Sequence, residues 1–346
     1  MKKINKHIEI VRSTISNLNS MGTASSNGAL KVLAEYYVRV GITMINNLSD
    51  LEALVALKPD LVFLGMEFVP TDPNLGPEDP NKIWITSYLD DHDIAYTGSS
   101  QTAHELARNK PMAKQQVLDA GLTTSEFFVV APNQVSSSHN IPLTYPLFIK
   151  PANRGGGAGI DSKSVVNTSF ELDAKVASIA KKFRSDSLVE KYLDGREFSV
   201  AILKQEYSAE YSVMPLELIA PQDEYGARIL SARIKSADTE RFLEVTDEDI
   251  KHRISTLAID VFHALGARDY GRIDIRMDKL GTPYFLEANL IPSLLKGYGN
   301  FPKACMLNMD LDYESMLLSI VRLALRRCLD TIYTPYLTVP NMAYSV

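Results

Sequence analysis

The sequence is poor in the features that mark secreted and membrane proteins. It has two cysteines in 346 residues, Cys305 and Cys328, with no close metal-ligand spacing and no CxxC pattern. A disulfide framework is therefore not expected, and a reducing cytoplasm is the simpler compartment. No run approaches the roughly 18 apolar residues of a membrane span, and the basic N-terminus lacks the apolar core of a signal peptide.

Positive charge is also not in excess. The chain has 36 Lys and Arg against 42 Asp and Glu, for a net charge of −6. This balance predicts no nucleic-acid partner and no anionic membrane surface, although a local basic pocket for phosphate remains open. The six histidines are scattered, and none is predicted to be catalytic.

Hydrophobic residues make up 45% of the chain, enough for the cores of two or three domains. Apolar spacing predicts a helix over 28–40, stopped by Gly41, and strands and helices then alternate up to residue 98. This alternation predicts an α/β lobe with a parallel sheet over 1–108. Pro111 predicts a break in the helix at 102–120, close to Asn109 or Lys110.

The break marks the first of three predicted domain boundaries. A small α+β domain is expected over 109–200, and a second over 201–330. In the latter, 219–247 is polar and is predicted to be an irregular, mobile loop. The tail at 331–346 has no predicted role.

An apolar strand near the end of this region carries two polar residues. In a strand, alternate side chains share a face, so Leu286, Ala288 and Leu290 are predicted on one face and Glu287 and Asn289 on the other. A carboxylate and an amide therefore point together towards water, a structural partner or a metal ion.

The preceding strand has the same pattern, with Arg272 and Asp274 on one face. Paired as a hairpin, the two strands would bring Asp274, Glu287 and Asn289 together as oxygen ligands for a hard cation such as Mg²⁺. From these residues alone, a solvated sheet face with ion pairs to Arg272 and Arg276 is an equally good interpretation.

Two further segments suggest nucleotide binding. Lys150 ends a strand and is followed by a glycine-rich loop with Gly155, Gly156 and Gly157, whose backbone N–H groups could approach a phosphate. A floppy hairpin loop is the alternative. In residues 188–200, two strands are predicted to pair across a tight Asp194–Gly195 turn. The extended backbone there could form hydrogen bonds with an adenine, and a carboxylate could hold the hydroxyls of a ribose. The alternative is that the glutamates of these strands are simply exposed to solvent.

The order and spacing of Lys110, FIKP with its glycine loop, VEKYLDGRE, GRIDIR and LEAN resemble the ATP-grasp superfamily and, within it, the D-alanine–D-alanine ligases. The resemblance runs from about residue 85 to 292 and implies a three-domain ATP-grasp architecture of α/β and α+β domains. In this implied architecture, the N-terminal domain is a parallel-sheet lobe, and ATP would bind between the central and C-terminal domains.

The resemblance also implies roles for individual residues. Lys110 and Lys150 would contact ATP phosphates, and the glycine loop would close over them. Asp274, Glu287 and Asn289 would hold two Mg²⁺ ions, with Mn²⁺ as an alternative. Arg272 would stabilise charge on the intermediates, and Lys235 would reach the γ-phosphate. The base and ribose would be bound by Glu190, Lys191, Tyr192, Leu193 and Glu197.

The segments that bind amino acids in the family depart from its pattern. After Asn289, the usual Thr-x-Pro-Gly segment is replaced by a loop with Ser293, Lys296 and Tyr298, which are predicted to face the substrate. The N-terminal stretch SMGTASSNG has no acid, and Ser236 stands where a tyrosine commonly follows the mobile lysine.

The resemblance therefore implies an ATP-dependent carboxylate–amine ligase that forms an amide through an acyl phosphate, with altered acceptor specificity. A ligase that joins two D-alanines for the cell wall, and a non-catalytic Mg-ATP binder, are the alternatives; a carboxylase-like enzyme that uses bicarbonate fits less well. Expected partners are small amino acids or carboxylates, and a homodimer, as is common in the family, is an open prediction.

Overall fold

The computed structural model describes residues 2–132, 141–223 and 226–333, with side chains up to residue 327. The chain divides into two compact units. The first consists of Met1–Gly98, Lys204–Ala209 and Tyr313–Val346, and the second of Ser99–Leu203 and Glu210–Asp312. Among the described residues, no helix has both the length and the apolar character needed to cross a membrane.

The elements of the first unit are β1 (Ile4–Arg12), α1 (Thr23–Tyr36), β2 (Tyr37–Met44), α2 (Leu48–Ala56), β3 (Leu61–Leu64), β4 (Phe68–Val69), β5 (Ile83–Trp84), α3 (Ile85–Asp90) and, much later in the chain, α10 (Tyr313–Tyr333). Three of the strands form a parallel sheet in the order β2-β1-β3. All four residues of β3 are buried, as expected for a parallel sheet. The predicted parallel-sheet lobe is therefore confirmed.

The helix predicted over 28–40 was placed too far along the chain. Helix α1 ends at Tyr36, and Gly41 lies within β2 rather than after a helix. A Cβ atom at Gly41 would lie 2.6 Å from the Glu9 carboxylate on the neighbouring strand. Gly41 therefore makes room for a buried side chain, and does not stop the helix.

The elements of the second unit are α4 (Gln101–Arg108), α5 (Lys110–Asp119), β6 (Phe127–Val130), β7 (Leu147–Pro151), β8 (Val165–Val166), α6 (Ser169–Phe183), β9 (Ser187–Lys191), β10 (Glu197–Lys204), β11 (Tyr211–Ile219), α7 (Ala232–Ala237), β12 (Arg241–Glu244), α8 (Glu248–Ala264), β13 (Tyr270–Met277), β14 (Pro283–Asn289) and α9 (Asn300–Met309). The strands form two sheets, with the orders β6-β9-β7-β8 and β12-β11-β10-β13-β14. Helix α6 packs on the four-stranded sheet, and α8 packs on the five-stranded sheet through a continuous apolar core.

The predicted break near Pro111 is confirmed. Helix α4 ends at Arg108 and α5 begins at Lys110, with the side chain of Asn109 accepting a hydrogen bond from the Met112 N–H. Pro111 lies in the first turn of α5, where its missing N–H costs nothing. The three domain boundaries proposed from the sequence remain a prediction.

Two local predictions were wrong. Strands β9 and β10 do not pair across Asp194–Gly195, because β9 joins the four-stranded sheet and β10 the five-stranded sheet. The turn therefore carries the chain from one sheet to the other. The segment 219–247 is not irregular throughout, since it contains the helix α7, capped by Ser231, and the strand β12.

Candidate active site

A cleft in the second unit lies between the four-stranded and five-stranded sheets. Its walls come from β7, β9, the glycine loop and the β13–β14 hairpin. Most of the residues predicted to bind nucleotide and metal line this cleft. They are Lys150, Gly157, Glu190, Lys191, Tyr192, Leu193, Glu197, Lys235, Asp274 and Glu287.

The hairpin places its polar residues as predicted. Strands β13 and β14 pair with Asp274 opposite Glu287 and Arg272 opposite Asn289. Arg272 forms a two-pronged ion pair with Asp274, with N–O distances of 2.8 and 2.8 Å. Burial acts to lower the pKa of Arg272, but the Asp274 carboxylate outweighs it and holds that pKa above its usual range. Arg272 is therefore a fixed cation beside Asp274 on the hairpin.

Leu286 lies on a different face from the one predicted. The register shifts between Asp274 and Ile275, so that Leu286 forms a bulge opposite no partner. As a result, Phe285 fills the core, and Leu286 lines the cleft beside Glu287. The alternation expected for β14 holds only from Glu287 onward.

Two buried lysines carry positive charge towards the carboxylates of the cleft. The Lys110 Nζ atom lies 3.5 Å from Glu287, and the Lys150 Nζ atom lies 2.8 Å from Glu190. Burial would raise the pKa of Glu287, but Lys110 and Lys150 outweigh it and lower that pKa to about 2. Glu287 is therefore an anion at neutral pH, with cations on both sides.

Glu197 lies on β10, next to β13 in the five-stranded sheet, and is paired with Arg276 of β13 at 3.0 Å. Burial raises its pKa above the usual range despite this pair. The Arg276 guanidinium also lies 5.3 Å from the ring centre of Tyr192. A carboxylate next to a rigid aromatic ring is a suitable environment for a ribose and its attached base.

The glycine loop approaches helix α7. Gly155 and Gly156 are exposed, whereas Gly157 is buried at the cleft with φ of +77°. A Cβ atom at Gly157 would lie 2.9 Å from the backbone nitrogen of Ala232, at the start of α7. The loop and the helix that carries Lys235 therefore meet backbone to backbone at a position that only glycine fits well.

Substituting Gly157 by alanine is expected to raise the KM for ATP about tenfold, because the new methyl group would push the loop away from α7 and strain the backbone. Gly155→Ala is the matched control, since nothing lies within 4 Å of its Cβ position. Steady-state kinetics at varied ATP would check both variants. If Gly157→Ala and Gly155→Ala had the same KM for ATP, the contact between Gly157 and α7 would not contribute to ATP binding.

The three residues predicted to face the substrate lie in different settings. Tyr298 donates a hydrogen bond to the Lys235 carbonyl, so its hydroxyl is already engaged with the α7 helix. Lys296 is exposed, and Ser293 is half-buried. The Ser293 carbonyl packs so closely on Gly299 that a Cβ atom there would lie 2.3 Å away. Tyr298 is therefore tied directly to Lys235, a residue that lines the cleft.

The oxygen donors on the hairpin fit a hard divalent cation. Asp274 and Glu287 are directly opposite, and the Asn289 side chain already reaches Asp274, with Nδ2 3.2 Å from Oδ2. Turning the Asn289 amide would present its oxygen at the same place, which gives two carboxylates and an amide, the donor set that Mg²⁺ accepts. The metal assignment stays a prediction that these contacts favour.

Sequence reasoning missed several residues that build the cleft. Lys114, on α5, forms a 2.8 Å ion pair with Glu190 and is completely buried. Residues four apart lie on the same face of a helix, so the spacing of Lys110 and Lys114 was the signal in the sequence that could have identified Lys114. The other missed residues line the cleft and are mostly apolar: Phe148, Ile160, Ile229, Leu230, Arg276 and Leu286.

Glu190 is expected to make the protein sensitive to acid. Burial raises its pKa, but Lys114 and Lys150 outweigh this effect and lower the pKa from 4.5 to about 2. Its stabilising contribution is therefore complete above pH 4.5 and is lost as the pH falls towards 2. Urea unfolding at pH 7, 4 and 3 should show a smaller loss for Glu190→Gln than for the wild type. The exposed control Glu244→Gln should follow the wild type, and equal curves for all three would contradict the assignment.

Comparison with known proteins shows which sequences this chain resembles. Residues 117–322 match the family model described as the D-ala D-ala ligase C-terminus. A D-alanine–D-alanine ligase of Hydrogenovibrio crunogenus is 30% identical over 70% of this chain and 73% of its own length. An uncharacterised protein of Sinorhizobium fredii is 29% identical over 70% of both chains.

Solved structures share the fold. A D-alanine–D-alanine ligase of Bacillus anthracis in complex with ATP has a TM-score of 0.74 at 18% identity, covering 95% of this chain and 100% of its own. The VanG D-Ala:D-Ser ligase of Enterococcus faecalis has a TM-score of 0.69 at 19% identity, covering 93% and 100%. The fold and the cleft thus define an ATP-dependent carbon–nitrogen ligase of the ATP-grasp class. Within that class, the chain belongs to the D-alanine–D-alanine ligase family.

Proposed function

We propose that this protein joins an amino acid or related carboxylate to an amine through an acyl phosphate, and that its substrate pair differs from two D-alanines. The single observation that carries the proposal is the contrast between the two parts of the site. Most of the residues predicted to bind nucleotide and metal line one cleft, whereas the loop after Asn289 departs from the family pattern and uses Tyr298 to hold the α7 helix.

The chemistry follows from the charges around the cleft. Lys110, Lys150 and Lys235 would bind and orient the phosphates, and Arg272, fixed by Asp274, would stabilise negative charge that develops during transfer. The donor's carboxylate oxygen bonds to the γ-phosphorus, and ADP leaves. The amine then bonds to the acyl carbon, and phosphate leaves together with a proton from the amine.

Asp274, Glu287 and Asn289 would hold one or two Mg²⁺ ions, with Mn²⁺ as an alternative, and metal ions there would neutralise the charge on the transferring phosphate. Closure of the glycine loop on α7 would exclude water from the acyl phosphate. Cytoplasmic location and a homodimeric assembly belong to the same proposal.

The names of related proteins support a change of acceptor within this fold. Several relatives are named D-alanine–D-alanine ligases, while the VanG structure is named a D-Ala:D-Ser ligase. The fold thus serves more than one second substrate. The altered loop and the absence of an acid from SMGTASSNG favour a further variation here.

The test is Mg-ATP-dependent ADP release from the purified protein with D- and L-amino acids, singly and in pairs, followed by mass spectrometry of the products. We expect release and an amide product with a pair other than two D-alanines. D-alanyl-D-alanine as the sole product would contradict the proposed specificity but leave the ligase chemistry intact. ATP binding with no turnover on any pair would contradict the ligase assignment.

A further inference from the structure

Lys114 is a buried cation that the proposed reaction does not use directly. It lies on α5, and its side chain is completely buried. The Nζ atom donates hydrogen bonds to Thr124 Oγ1 at 2.7 Å and to Ser125 Oγ at 2.9 Å, and lies 2.8 Å from Glu190 Oε2. All three N–H donors of the ammonium group thus have partners.

These contacts connect the two sheets that form the cleft. Glu190 belongs to β9 in the four-stranded sheet. Thr124 donates a hydrogen bond of 2.7 Å to the Phe285 carbonyl on β14, in the five-stranded sheet. Phe285 directly precedes the bulge at Leu286, which lines the cleft. Lys114 is therefore placed to influence both walls of the nucleotide cleft.

The charge of Lys114 matters because the Glu190 carboxylate is shared between two lysines, Lys114 and Lys150. Glu190 Oε1 lies 2.8 Å from Lys150 Nζ, while Oε2 lies 2.8 Å from Lys114 Nζ. With both lysines protonated, the three groups carry a net charge of about +1. Without the charge of Lys114, Glu190 and Lys150 would cancel. Burial leaves these interactions poorly screened by salt and water.

We propose that Lys114 is a positioning residue for the ligase reaction: it neutralises Glu190 so that Lys150 presents its positive charge to the nucleotide phosphates. This inference rests on the proposed ATP-dependent function. Lys114 itself touches neither phosphate nor substrate, and acts through the Glu190–Lys150 pair. A purely structural role, in which Lys114 only satisfies the Thr124 and Ser125 hydroxyls, is the competing explanation.

Substitution with glutamine separates these two roles. Lys114→Gln keeps N–H donors near Thr124 and Ser125 but removes the charge. We expect it to raise both the Kd for Mg-ATP, measured by isothermal titration, and the KM for ATP about tenfold. The kcat at saturating ATP should change less than about threefold, because the loss lies in binding. Lys181→Gln, which removes an exposed lysine charge from α6, is the matched control and should behave as the wild type.

The double variant Lys114→Gln/Glu190→Gln, compared with Glu190→Gln alone, tests the charge directly. Both variants lack any contact that the Glu190 carboxylate makes with the nucleotide, so that loss cancels in the comparison. If Lys114 acts by neutralising Glu190, Lys114→Gln should change the Kd for Mg-ATP less than about threefold in the Glu190→Gln background. A purely structural role predicts the same tenfold loss in both backgrounds, and that result would overturn the proposal.

The remaining outcomes also decide between the explanations. Wild-type affinity in folded Lys114→Gln would overturn the proposal while leaving the ATP site intact. If wild-type protein itself failed to bind Mg-ATP, the proposed function would fail first. If Lys114→Gln does not fold, Lys114→Met takes its place in the same comparison with and without Glu190→Gln, since methionine has a similar length and no charge.

Discussion

Replacing Glu287 with glutamine is expected to lower kcat for ATP-dependent amide formation by about 10²- to 10³-fold. Glu287 lies opposite Asp274 on the hairpin and 3.5 Å from Lys110, and its pKa, lowered to about 2, keeps it charged. Glutamine keeps the shape but removes the charge that would hold a metal ion and balance Lys110. Steady-state kinetics with the substrate pair found by the amino-acid panel would measure the loss.

Glu244→Gln is the matched control for this experiment. It makes the same chemical change on an exposed residue of β12, in the same five-stranded sheet. We expect it to retain wild-type kcat. If Glu287→Gln and Glu244→Gln were equally active, the hairpin carboxylates would not take part in the reaction, and the metal assignment would be wrong.

Replacing Arg272 with methionine is expected to lower kcat about 10²-fold or more, with a smaller change in KM for ATP. Arg272 is held by two hydrogen bonds to Asp274, each 2.8 Å long. Its loss would remove a fixed cation and leave Asp274 without its charged partner. Single-turnover and steady-state kinetics would separate an effect on chemistry from an effect on binding.

Arg272→Lys sharpens this test. Lysine keeps the positive charge but cannot reproduce the two-pronged geometry, so an intermediate kcat is expected. Arg241→Lys, at an exposed position on β12, is the control. A fully active Arg272→Met enzyme would rule out charge stabilisation by this side chain. Such a result would instead favour an ATP binder in which Arg272 only balances Asp274.

The hairpin is the part of the site that the sequence predicts best. Alternation in β13 and β14 placed Asp274 and Glu287 on one surface, because the side-chain period of a strand is local information. The bulge at Leu286 broke the pattern, since it depends on pairing with the neighbouring strand. Local alternation therefore gave the correct face for Asp274 and Glu287 and the wrong face for Leu286, which lies next to Glu287.

Features that depend on contacts between residues far apart in the sequence were harder to predict. The Asp194–Gly195 turn looks like a hairpin turn, yet β9 and β10 join different sheets because their neighbours in space come from elsewhere in the chain. Lys114 has the appearance of a surface lysine on an amphipathic helix. Only the fold reveals that Thr124, Ser125 and Glu190 surround its ammonium group.

The measurement that tests the central claim most directly is the fate of oxygen-18 from the donor's carboxylate. With a donor labelled in both carboxylate oxygens, an acyl phosphate transfers one labelled oxygen to the inorganic phosphate that is released. We predict phosphate carrying one labelled oxygen, together with ADP, by mass spectrometry. Label in AMP, or unlabelled phosphate beside the amide product, would contradict the proposed mechanism.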